Sequence, residues 1–216
     1  MKKLVLALVL AVMLIAVPAE LFAVISGDPV QQMPMPVLLS SAGQGAGSKA
    51  LLMLINTMLN RRITDPAKRY AVAEDGEIWL EDETTHGERY AYIDSGYFKT
   101  LVLVISVTEK GLGASGITIE DEIGFLKNVL EKAKAQKMKI VAVSMETDAR
   151  APGIPTNGNE RIIDLVCPQA DYLISIKANN TDGRFTKISQ QYNIPLTIID
   201  TANVDMLSLL PQIFVK

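Results

Sequence analysis

Ser40 to Lys49 reads SSAGQGAGSK, with Gly43, Gly45 and Gly47 on alternate positions between a short apolar run and a longer apolar segment. Glycines let a backbone approach a ligand closely, and the N–H groups that open a helix favour an anion. Phosphate or carboxylate binding is therefore the first chemistry to weigh. A Walker A loop needs Gly-Lys-Ser/Thr after an earlier Gly and four residues. Here Ser48 stands between Gly47 and Lys49, so the order is wrong. A dinucleotide fingerprint needs Gly-x-Gly-x-x-Gly, and counting from Gly43 places Ser48 where the third glycine belongs. Glu74 and Asp75 end a candidate strand where a ribose-binding acid would lie, which makes the match partial. The more general reading survives. Ser40, Ser41, Gly43, Gln44 and Gly45 are candidates to seat a small anionic ligand at a helix start.

Other residues bear on the same edge. Lys110, Asn179 and Asp182 follow later apolar runs and complete the candidate binding set. Glu109, Glu146 and Asp148 could meet there too, and paired carboxylates can move protons or hold a divalent cation. The competing reading for these acids is solvated loop charge. Arg150 could pair with Asp148 or with a ligand carboxylate, and Lys177 is equally open. The single histidine, His86, lies in the polar stretch TTHGER and reads as a turn residue. The single cysteine, Cys167, lies in IIDLVCPQADYLI and reads as a small core residue. One His and one Cys cannot build a His/Cys zinc site, so no metal and no cofactor is expected. No Gly-x-Ser-x-Gly elbow occurs, and no catalytic set is assigned.

Those residues need a frame. The chain has 216 residues, 49% hydrophobic and 21% charged, which suits one globular domain with a real core. Its formal net charge is −3 and its basic residues are scattered, which argues against nucleic-acid binding. PVLLSS, TLVLVISV (Thr100–Val107), KIVAVSM, DYLISIK and IPLTIID read as five buried strands. Segments of helical period separate them. The first, Lys49 to Arg62, ends on basic residues as a helix C-terminus prefers. Thr118 and Asn157 are the expected N-caps of two others, the latter with Glu160 three residues on as in a capping box. Alternation of this kind predicts an α/β fold, a three-layer α/β/α sandwich around a mostly parallel five-stranded sheet, Rossmann-like or flavodoxin-like. In such sheets the ligand crevice lies beyond the carboxyl ends of the strands, where the small, polar and Gly-rich loops gather.

The amino-terminal end has its own signature. Lys2 and Lys3 precede an unbroken apolar run from Leu4 to Val17, then VPA and LFA offer small-residue cleavage sites. This is the layout of a secretory signal peptide, and the run is short of the 20 or so residues of a membrane span. Residues 1–23 are read as the leader, or as an uncleaved anchor that would be the only contact with a membrane. Residues 24–35 are read as a linker and 36–216 as a single domain with an insertion at about 74–98. Within it, Tyr70 to Ala73 and Ile78 to Leu80 are read as short strands. Export to the periplasm or beyond is the expected localisation.

Three stretches also carry a resemblance. SSAGQ, KGLGASGI and NNTDGRFTKI, with their surroundings from about residue 35 onward, resemble an uncharacterised family of exported bacterial proteins that carry a domain of unknown function. The resemblance implies an exported α/β domain and supplies no catalytic residues. The leading expectation is a non-enzymatic domain binding a small anionic molecule at the carboxyl edge of its sheet. The alternatives are a hydrolase or nucleotide-dependent enzyme, and an interaction module whose partner docks on the insertion.

Overall fold

The computed structural model describes residues 25–58, 78–80, 93–147 and 150–214. Its strands form a single seven-stranded sheet, in the order β1-β7-β6-β5-β4-β2-β3. β2 (Val37–Ala42), β4 (Thr100–Ile105), β5 (Lys139–Ser144), β6 (Tyr172–Ile176) and β7 (Leu196–Ile199) are the five runs read from the sequence. All run parallel in register, from Val37 beside Thr100 to Leu173 beside Leu196. β3 (Ile78–Leu80) is parallel to β2 and forms one edge. β1 (Ile25–Gly27) runs antiparallel to β7 at the other edge. Residues 24–35, expected as a linker, thus lay a short strand along the sheet, and Met33 is buried. The Tyr70–Ala73 strand and most of the 74–98 insertion, including His86, lie outside the described residues.

The strands are apolar on both faces because helices cover both. α1 (Gly47–Met58) and α6 (Val204–Ile213) pack Leu51, Ile55, Leu209 and Ile213 onto one face, against Leu39, Val102, Val104 and Val143. On the other face lie α3 (Ile119–Ala135), α4 (Gly158–Val166) and α5 (Arg184–Tyr192). They place Leu126, Ile163 and Phe185 against Leu101, Leu103, Ala142 and Leu173. Odd and even residues of each strand serve opposite layers, as the period of two requires. The result is the expected α/β/α sandwich. Cys167 is fully buried in the second layer, and burial pushes its thiol pKa up, which removes it as a nucleophile.

Helix starts follow the local sequence. The Thr118 hydroxyl accepts from the Asp121 N–H, and the Asp121 carboxylate accepts from the Thr118 N–H at 2.8 Å, a reciprocal capping box. Asn157 caps α4 by accepting from the N–H groups of Asn159 and Glu160. Glu160 does not reach back to complete a box, because Arg150 and Arg184 hold its carboxylate. One element differs from expectation. Thr108 to Gly116 follows β4 and belongs to the Gly-rich loops expected at the strand carboxyl ends. Residues Glu109–Ala114 nonetheless form a short helix, α2, whose Thr108 cap accepts from the Gly111 N–H at 2.9 Å.

Candidate functional site

Sequence neighbours β2 and β3 lie on one side of the point where the chain turns back to β4. The order 3-2-4-5-6-7 of the parallel strands makes the β2/β4 boundary the topological switch point, where ligand crevices usually open. Here the chain fills it. The Gly45 N–H donates to the Ser106 carbonyl at 2.7 Å, the Ser106 N–H to the Ala42 carbonyl at 3.0 Å, and Gln44 bridges Val107. A Cβ on Gly45 would lie 1.7 Å from the Ser106 Oγ, and one on Gly111 1.9 Å from the Gln44 carbonyl oxygen. The glycines are there so that two turns can close on each other.

The rest of the Ser40–Gly45 stretch serves the same closure. Gln44 takes the left-handed backbone conformation, φ 61°, and is buried. Its amide Nε2 donates to the Glu122 Oε2 at 3.3 Å and its Oε1 accepts from the Ser115 hydroxyl at 3.2 Å. The Gly43 N–H donates to the Glu122 Oε1 at 2.9 Å. Glu122, fully buried on α3, thereby pins the turn from the layer below. Ser40 and Ser41 are buried in β2, and the Ser41 hydroxyl has no hydrogen-bond partner among the described residues. The Gly43 and Gly45 amides, two of those expected to meet an anion, thus have partners within the fold.

The open space lies one strand further along. A cavity of about 820 Å³ stands beyond the carboxyl ends of β4 and β5. Glu109, Glu146, Thr108, Thr147, Thr156 and Asn157 give it polar walls, and Val107, Leu112, Ile119 and Met145 give it apolar ones. Glu146 follows β5 and is half-buried, with its Oε2 accepting from the buried Ser106 hydroxyl at 2.5 Å. Its other oxygen, Oε1, lies 3.6 Å from where a Cβ of Gly47 would stand, beside the start of α1. Asn159 builds the floor. Its Oδ1 accepts from the Val107 N–H at 2.9 Å and its Nδ2 donates to the Val107 carbonyl at 3.0 Å, so α4 is tied to the β4 turn as a strand would be.

Asn179 and Asp182 belong to a neighbouring network. The Asn179 Nδ2 donates to the Ser144 hydroxyl at 2.9 Å and to the Glu146 carbonyl at 3.0 Å, while its Oδ1 is buried and unpartnered. Arg150, 5% exposed, makes paired hydrogen bonds to Glu160 and to Asp182, all at 2.9 Å, and also donates to the Asn179 carbonyl. Burial would lower the Arg150 pKa, but the hydrogen bonds it donates to Asp182 and Glu160 outweigh this and raise it. The Arg150 hydrogen bonds hold the Asp182 carboxyl down at about 2. Lys110 is exposed on α2.

None of the eight candidates from the sequence, Ser40, Ser41, Gly43, Gln44, Gly45, Lys110, Asn179 and Asp182, lines the cavity. Glu109 and Glu146, weighed as acids of the same crevice, both do. Asp148 lies outside the described residues. Thr156 was missed, and position alone, two residues ahead of the α4 start, could have found it. Among the described residues no group of three or more His, Cys, Asp or Glu side chains could hold a metal ion.

Comparison with known proteins adds one assignment. A family model described as a domain of unknown function, DUF6305, matches residues 34–214. No curated protein matches the chain. Among solved structures, the chain is similar to the Helicobacter pylori ADP-L-glycero-D-manno-heptose-6-epimerase, at 13% identity and a TM-score of 0.36, over 69% of this chain and 55% of that one. It is also similar to the psychrotrophic esterase EstA from Pseudoalteromonas sp., at 12% identity and a TM-score of 0.32, over 76% of this chain and 77% of that one. The chain spans little more than half of the epimerase. Neither likeness bears on activity.

Proposed function

The chain belongs to the DUF6305 family, and from that premise we propose that it is a small-ligand-binding α/β domain whose site is the cleft over β4 and β5. One observation carries the reading. The cleft of about 820 Å³ lies at the strand carboxyl ends and joins apolar walls to a few convergent polar groups, which is the make-up of small-molecule sites. At the glycine turn the Gly43 and Gly45 N–H groups already donate to Glu122 and Ser106. The ligand's place is therefore beside Glu146 and Asn157 rather than beside Gln44. The apolar run from Leu4 to Val17 supports export as the setting in which this ligand is met.

Thermal unfolding of the purified protein against a panel of carboxylates, phosphates, sugars, nucleotides and amines tests the site. A ligand at about 100 times its Kd stabilises by about 2.7 kcal/mol, a rise of several degrees in Tm for a chain of this size. Thr156→Trp fills the cleft from an exposed position and should abolish the rise. A rise that survives this variant would place the ligand elsewhere. Amino-terminal sequencing of the protein recovered from its cells tests export, since an intact Met1 would overturn cleavage.

A further inference from the structure

We infer that the cleft, on the reading just given, selects small organic cations of the ammonium type, and that Glu146 is the residue that selects them. The inference starts from how the carboxylate is held. Its Oε2 is fixed by the Ser106 hydroxyl at 2.5 Å, and Ser106 is itself fully buried beneath Gly45. Its Oε1 has no hydrogen-bond partner among the described residues. Glu146 is thus a half-buried carboxylate with one oxygen anchored and one left for a ligand.

The rest of the lining decides the sign. Glu109 adds a second negative charge, and among the described residues no Lys, Arg or His lines the cleft. An anion would meet two carboxylates with no compensating cation. A hydrogen bond from a charged donor is roughly twice as strong as one from a neutral donor, so an ammonium group gains most at the open oxygen. Metal binding is disfavoured by the same inventory. Among the described residues no three His, Cys, Asp or Glu side chains come together to hold a metal ion. The apolar walls of Val107, Leu112, Ile119 and Met145 suit the carbon substituents of an amine, and a hydrated metal ion has no use for them.

The test uses ethanolamine and propylamine as cationic probes, glycerol as a neutral one, and acetate and phosphate as anionic ones. Tm and calorimetric Kd are read on the wild-type protein and on three variants. The expected result is a rise in Tm with the ammonium probes only. Glu146→Gln should weaken their Kd at least about tenfold. Ser106→Ala should weaken it less, because it frees the carboxylate to turn without removing its charge. Thr156→Trp should abolish binding. A neutral or anionic probe that binds, is lost in Thr156→Trp and is untouched by Glu146→Gln would overturn the inference and leave the cleft standing as a site. Ammonium binding indifferent to Glu146→Gln would overturn it as well. No rise with any probe class would overturn the inference and the cleft reading together.

Discussion

Gly45 lies so close to Ser106 that any side chain there must displace it. Gly45→Val should cost about 3 kcal/mol by overpacking, a fall in Tm of roughly 6–12 °C, read by thermal unfolding. Asp182 gives a second prediction at this scale, with a sign. Its folded pKa is depressed to about 2 from 3.8 by Arg150, so the stability it contributes is present above about pH 4 and is lost as pH falls towards 2. The pair is a third exposed on the Asp182 side, so screening leaves about 1 kcal/mol. Asp182→Asn should lower the urea midpoint at pH 5 and leave it nearly unchanged at pH 2. These residues also show what the sequence could not tell. Gly-x-Gly spacing looks the same whether it admits a ligand or a neighbouring loop. Only the facing loop, more than sixty positions away, distinguishes the two.

Strands and long helices were legible in the sequence because each carries its own period. Five apolar β-branched runs had to be buried on both faces, and Thr118 and Asn157 marked two helix starts without help from the fold. α2 was not legible, since its glycines argue against a helix and only its packing under Gln44 explains Gly111. Nor was the joint between α4 and the β4 turn, which rests on one side chain matching a backbone amide and carbonyl. Asn159→Ala should orphan both groups of Val107 and cost about 1–3 kcal/mol, measured by urea unfolding. Asn159→Asp keeps the acceptor and loses the donor, so an intermediate loss is expected. Thr118→Ala should cost about 1 kcal/mol through its cap, read by the same unfolding.

Across the whole molecule, the sheet is finished by its first strand. β1 covers the outer edge of β7, and the Asp28 carboxylate accepts from the Leu196 N–H at 2.9 Å to hold it there. Removing residues up to Asp28 should bare that edge, lower Tm and promote association between copies, followed by light scattering. The antiparallel strand also sets a schedule. Ile25 can find Ile199 only after nearly every other residue of the domain has been made, and pairing at such separation is slow. While the chain is being synthesised or threaded through a pore, its leading end has no place in the sheet to dock. Under the proposed export, removal of residues 1–23 would therefore fall before the last strand arrives and β1 docks.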